Sequence, residues 1–365
     1  MTPREQEIYE LIRRDPWISR KDIAEKLGIT GSSVGVHILN LTRKGLIKGK
    51  KYILNENRSV AVIGGSNIDL SGFPREKLRF HDSNPGTVRL SPGGVGRNIA
   101  ENLARLGVPV QMLTALGRDV YGEKILQDCR RLNIDMNAVK ISEDFPTSLY
   151  LSLQDRDGEM VLALSDMEIC ETINIDYIER NRNLIESARY AVVEANLSRS
   201  VLDHLFSRFP GTTFYVDPVS TSKAEKIRES LSSVAVLTCN RREAEVLCGM
   251  EIRTREDFLA AAEKLRKAGV GEFFISRGTE GTCYGSSEGT FFYKRPPFAM
   301  ANSNGAGDAF LAGLVYGGIQ GYSLHQKVRF AAAASALTVL CEETVNPALT
   351  PEGVLELAEL KQETE

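Results

Sequence analysis

From Ser59 onward the chain alternates short apolar runs of strand length with amphipathic runs of helical spacing, a rhythm that limits its fold more than any other feature. The runs are SVAVIGG, NIAENLARLG, VQMLTALG and YGEKILQDCRRLN, then RYAVVEA, SVLDHLFSRF, TFYVDPV and VAVLTCN. Strands apolar on both faces need cover on both sides, and helices between them supply it. The order therefore predicts a doubly wound α/β domain with right-handed crossovers. TSLYLSLQDRDGEMVLALSD breaks the rhythm. Its two alternating strands around Asp157 and Gly158 read as a β-hairpin that projects from the sheet as a flap, with partner strands expected between Gly72 and Ser91. In SVAVIGGSNIDLSG the first strand ends at a Gly-Gly turn, which assigns Asn67 and Asp69 to its carboxyl edge.

With 365 residues, 42% hydrophobic and 25% charged, the chain is long enough for more than one domain. Its net charge of -3 is unevenly divided: residues 1–54 carry +5 and the remainder -8, which implies two bodies with different partners. In the first body Ile8, Leu11 and Ile12 recur at helical spacing, Pro16 breaks the run, and Ser19 opens SRKDIAEKLGI. Gly28 makes a turn. A third helix begins near Thr30, with Val34, Ile38 and Leu41 inward and Ser32, Ser33 and His37 outward. Gly45 ends it, and LIKGKKYILN reads as a two-stranded wing carrying Lys48, Lys50 and Lys51. This segment, residues 1–54, resembles a winged helix-turn-helix domain. The resemblance implies that the third helix enters the major groove of DNA and that the wing lysines meet phosphates. The alternative is a winged helix that serves dimerisation or protein contacts.

No apolar run approaches the roughly 18 to 20 residues of a membrane span. Met1 to Arg14 lacks the apolar core of a signal peptide, so no membrane partner and a cytoplasmic location are expected. Six cysteines without CxxC spacing and four scattered histidines predict neither a disulfide framework nor a zinc site.

The chemistry concentrates in NSNGAGDAF, residues 302–310. Gly305, Ala306 and Gly307 carry almost no side chain, so their N–H groups can converge on a phosphate where the apolar run from Ala309 continues as a helix. Asp308 has two readings. An acid in the first turn complements the helix dipole, or it takes a proton from a group that attacks the phosphate. A second turn, SPGGVGRNIAENLARLG, offers Gly93 and Gly94 for close backbone approach and Asn98 one turn into the next helix. It has neither the GxGxxG of a dinucleotide site nor the GxxxxGK[ST] of a P-loop.

Together, SPGGVGRNIAENLARLG and NSNGAGDAFLAGL resemble the two signatures of the ribokinase-like, or PfkB, carbohydrate kinases, over residues 59 to about 360. The resemblance implies a ribokinase-like three-layer doubly wound sheet with a small β-hairpin lid, whose strands lie near residues 72–91 and 147–165. It also implies ATP and Mg2+ as the phosphoryl donor and its ion. TCNRREAEVL is similar to the family's NxxE, which places Asn240 and Glu243 near magnesium, through water, and the phosphates. SRGTEGTCYG is similar to the nucleotide-binding turn, with Ser276, Gly278 and Gly281. Asn302, Ser303 and Asn304 replace the usual Asp, Thr and Thr of the second signature, a departure that puts a monovalent-cation site in doubt. GGSNIDLSG, LSDMEI, EANLS and DPVSTSKAEKI are similar to the pseudouridine kinases within the family.

The resemblance assigns Asp308 the proton of a 5'-hydroxyl and gives the N–H groups of Gly305, Ala306 and Gly307 the developing charge. Nucleoside recognition falls to Asn67, Asp69, Gly93, Gly94, Asn98, Asp166 and Asn196. Structural readings stand beside several of these: Asp69 as a turn acid, Asn98 as a brace of its own helix, Glu243 as a surface helix acid, Asp166 in a flap ion pair, Asn196 as a strand terminator. Asp217, Pro218 and Lys223 line the crevice in this picture or simply end a strand. Lid pairing between protomers implies a homodimer. The alternatives are a kinase for another ribose or riboside, or a transcriptional regulator with a kinase-like sensor domain.

Overall fold

A computed structural model of the protein describes residues 1–48, 59–157, 159–294 and 304–359. Helices Pro3–Arg14, Arg20–Leu27 and Gly31–Arg43 open the chain, and each is started by a hydroxyl: Thr2 and Ser19 form capping boxes with Glu5 and Asp22, and Thr30 caps Ser33 N–H. Gly28 ends the second helix in the left-handed region at φ 63°. Ile8, Ile12, Ile23, Val34, Ile38 and Leu41 bury together as one small core. Ser32 is exposed, but Ser33 and His37 are half-buried. His37 Nδ1 is buried with no partner among the described residues, so this ring is less outward than helical spacing alone indicated. Lys48 is exposed, whereas Lys50, Lys51 and most of the expected wing lie outside the described residues.

The larger part is built on an eight-stranded sheet. In spatial order its strands are Gly289–Tyr293, Thr282–Ser286, Glu272–Ser276, Val236–Asn240, Phe214–Asp217, Ala191–Glu194, Val60–Ile63 and Val110–Leu113. The last six pair in parallel and the first two add an antiparallel edge. Successive side chains of one strand serve opposite cores: Ala61 and Ile63 pack on one face with helices Arg199–Arg208 and Arg255–Lys267. Val60 and Val62 pack on the other with helices Val95–Arg105 and Ala306–Ile319. The three-layer, doubly wound reading holds. Among the described residues no helix is long and apolar enough to cross a membrane.

The lid has four strands. Gly86–Gly93, Asn67–Pro74, Ser148–Gln154 and Met160–Asp166 form a four-stranded sheet, in which Asn67–Pro74 pairs in parallel with Ser148–Gln154. The first core strand stops at Ile63, and after the Gly64–Gly65 turn the chain enters this second sheet. Asn67 and Asp69 therefore stand on a lid strand, not at the carboxyl edge of the core strand. Gly158, in the turn of the expected hairpin, lies outside the described residues.

Candidate active site

The GAGD segment starts its helix earlier than the apolar run indicates, at Ala306. Gly305 precedes it at φ 76°, and a Cβ there would lie 1.9 Å from the Thr344 carbonyl oxygen, so both backbone and space require glycine. A Cβ on Gly307 would meet nothing within 4 Å, which leaves the amides of the first turn open on that side. Asp308 falls within that turn and is 8% exposed. Its Oδ2 accepts a hydrogen bond from Asn98 Nδ2 at 2.8 Å. Burial, reinforced by the charges of Asp217, Glu194 and Asp69, pushes its carboxyl up to about 8, against the pull of Asn98.

A cavity of about 450 Å3 opens at this helix start, lined by Asp217, Asn240, Glu243, Ser276, Gly278, Gly281, Ala306, Gly307 and Asp308 among others. The expected nucleotide residues thus meet the expected catalytic ones. Asn240 ends a core strand and caps helix Arg241–Cys248: its Oδ1 accepts from Glu243 N–H at 3.0 Å, and Glu243 Oε2 accepts from Asn240 N–H at 2.8 Å. NxxE is therefore also a capping box. Glu243 is buried, not a surface acid, and burial pushes it up to about 7. Asp217 is pushed up to about 6 by burial, while Val219 N–H donates to its Oδ1 at 2.7 Å.

The residues expected for the nucleoside gather differently, and none of them lines this cavity. Asn67 faces Gly93 across the lid strands and donates through Nδ2 to Asp69 Oδ1 at 2.6 Å. A Cβ on Gly93 would lie 2.3 Å from Asp69 Oδ2, and one on Gly94 2.7 Å from Gly65 O and Ser66 Cα. These two glycines make room for other parts of the protein itself. Asn98 N–H donates to the Gly94 carbonyl oxygen at 2.8 Å while its Nδ2 donates to Asp308, which links the two groups. Asn196 is buried and its Oδ1 accepts from Lys223 Nζ, which gives both a partner beyond strand termination. Asp166 is exposed on the outer lid strand, opposite Leu149, and is not drawn into either group.

Sequence reasoning missed Glu194. It has no exposed surface, and it accepts from Gly65 N–H at 2.5 Å and Asn196 N–H at 2.8 Å, so it ties together the turns that follow two adjacent core strands. Burial pushes it up to about 7. Its only local signal is an acid closing the apolar run RYAVVEA.

Residues 57–351 match the pfkB family carbohydrate kinases. The chain belongs to that family. Residues 1–48 of this kinase match winged helix-turn-helix DNA-binding domains. It is 36% identical over 358 residues to the uncharacterized sugar kinase YeiI of Escherichia coli K12, covering 98% of this chain and 99% of that one. It is also 36% identical to the pseudouridine kinase of the same organism, covering 84% of this chain and 98% of that one. A putative sugar kinase from Clostridium perfringens superposes with a TM-score of 0.75 at 33% identity, over 84% of this chain and 96% of the other. The Thermotoga maritima ribokinase shares the fold, with a TM-score of 0.73 at 21% identity, over 83% and 99%. The protein is thus an ATP-dependent sugar or nucleoside kinase with an N-terminal winged helix.

Proposed function

We propose that this kinase transfers the γ-phosphoryl group of ATP to the 5'-hydroxyl of pseudouridine. The observation that carries the reading is the position of Asp308, which lies in the open first helical turn beside the nucleotide cavity and is oriented by Asn98. The 36% identity to a pseudouridine kinase supports the choice of substrate.

In this mechanism Asp308 accepts the hydroxyl proton as the oxygen forms its bond to the γ-phosphorus, and the bond to the β–γ bridging oxygen breaks with its electron pair leaving on ADP. The amides of Gly305, Ala306 and Gly307 hold charge on the transferring phosphoryl oxygens. Asn67, Asp69, Gly93, Gly94, Asn98 and Asn196 bind and orient the nucleoside; Ser276, Gly278 and Gly281 hold the nucleotide. Among the described residues no three His, Cys, Asp or Glu side chains form a metal cage. Asn240 and Glu243 line the cavity beside Asp308 and fit magnesium, which keeps several of its waters; they would hold the ion through water, and it would neutralise phosphate charge. A putative Escherichia coli ribokinase II has been solved with ATP and Mg2+. Closure of the four-stranded lid excludes water, and pairing of lids gives a homodimer.

The winged helix binds operator DNA through Ser32, Ser33, His37, Lys48, Lys50 and Lys51 and regulates transcription in response to the nucleoside. ADP release measured across pseudouridine, uridine, adenosine and ribose tests the reading, with pseudouridine expected to be fastest by kcat/KM. Another preferred substrate refutes the pseudouridine assignment alone. No ADP with any of them, together with ligand-dependent DNA binding, establishes a sensor in place of an enzyme.

A further inference from the structure

Arg97 follows the glycine turn and precedes Asn98, and no role above uses it. Its side chain is buried and does not line the nucleotide cavity. Nη1 donates to the Pro92 carbonyl oxygen at 3.0 Å and to Asn98 Oδ1 at 2.9 Å, and Nη2 donates to Glu101 Oε2. Glu101 is buried as well, and its Oε1 accepts from Arg105 Nε at 2.9 Å and Nη2 at 2.6 Å.

A guanidinium has donors and no acceptor, whereas a side-chain amide has one end of each kind. An amide packed against Arg97 must therefore turn its oxygen toward it. Asn98 Nδ2 is then left facing Asp308, where it donates to Oδ2 at 2.8 Å. Reversing the amide would set its NH2 group against the guanidinium and its oxygen against the carboxylate, two repulsive contacts in a buried site where charge is poorly screened. Without Arg97 one of these two penalties vanishes, and only the contact with Asp308 still holds the amide in its orientation. The Asn98 backbone is held separately, because its carbonyl oxygen accepts from Asn102 Nδ2 at 2.9 Å. The question Arg97 settles is thus the side-chain orientation alone.

We infer that Arg97 is a positioning residue: braced by Glu101, it locks the Asn98 amide in the orientation that presents a donor to Asp308, and so keeps the carboxylate aimed at the acceptor hydroxyl. The inference rests on Asp308 being the base.

The test is a double-mutant cycle on the full-length protein, with Arg97→Met, Asn98→Ala and their combination assayed by ADP release, and Asp308→Asn as reference. Arg97→Met leaves Glu101 paired with Arg105, so it does not orphan the buried carboxylate. It lowers kcat about 10- to 100-fold, the value of a hydrogen bond to a charged group, while KM for ATP stays unchanged. In the Asn98→Ala background the same substitution costs nothing further, because the residue through which it acts is gone. Arg97→Lys keeps the charge and recovers part of the loss. If Arg97→Met does not fold, as judged by circular dichroism, Glu101→Gln replaces it in the cycle and shows the same non-additivity with a smaller loss. Equal cost of either substitution in both backgrounds, or wild-type kcat in the singles, overturns the inference. An active Asp308→Asn overturns the base assignment itself, an outcome distinct from an inactive Asp308→Asn combined with additive Arg97 and Asn98 effects.

Discussion

Replacing Asp308 by Asn tests the chemistry and the electrostatics of the site in one protein. The carboxyl rises from an ordinary 3.8 to about 8 because burial disfavours its ionised form and Asp217, Glu194 and Asp69 repel it. A rise of that size means ionised Asp308 is on the order of 5 kcal/mol less favourable in the fold than in the unfolded chain. The folded state then binds the extra proton between about pH 4 and pH 8, so the group's contribution to stability is full below the unfolded value and is lost as pH rises through about 8. Asparagine cannot ionise and escapes that loss. The melting temperature of Asp308→Asn should thus match wild type near pH 4, exceed it increasingly toward pH 8, and hold a constant lead above. Part of the gain appears through Asp217 and Glu194, which the missing charge also relieves. Turnover should fall at least about 100-fold, the lower end of general-base help. Thermal melts across pH and ADP release supply the two readouts. A melting difference that is flat with pH refutes the raised carboxyl, and near-wild-type turnover refutes the base.

For the wild-type enzyme, kcat/KM should rise with pH through a limb near 8, since the base must lose its proton before it can accept one; a limb near 4 would contradict the burial argument. Asn240→Ala removes an N-cap and its reciprocal box, costing about 1 kcal/mol by chemical denaturation, and raises KM for ATP. Lower stability with an unchanged KM would leave Asn240 only structural. Gly94→Ala forces a side chain onto a backbone at φ 97° and against Gly65 and Ser66. It should cost about 1 to 3 kcal/mol and weaken nucleoside binding by calorimetry, and a wild-type melt would show the turn to be more tolerant than its geometry. Lys48→Ala should weaken DNA binding and reduce the salt slope by about 1 in a titration at several ionic strengths; an unchanged slope removes Lys48 from the phosphate contacts.

The alternation of apolar and amphipathic runs was enough to give the three-layer sheet, because it records which faces need cover residue by residue. The starts of helices at Thr2, Ser19 and Thr30 were equally legible, as caps act over three residues. So were several residues that line the cavity beside Asp308, carried by the GAGD turn, the SRGTEG turn and NxxE. Tertiary structure decided the rest. The alternating residues Ile68 and Leu70 gave no sign that their strand had left the core sheet for a lid. Glu194 looked like any acid after a strand until the pairing of Val60–Ile63 with Ala191–Glu194 brought Gly65 to it across 129 residues. Asn98 meets Asp308 across 210 residues, through packing of two helices on one face of the sheet. The same packing removes water and collects Asp69, Glu194, Asp217 and Asp308, which raises the candidate base toward neutral pH. Periodicity and capping are interactions of near neighbours, so the sequence contains them. Desolvation and the aim of a carboxylate are sums over residues that only the fold brings together.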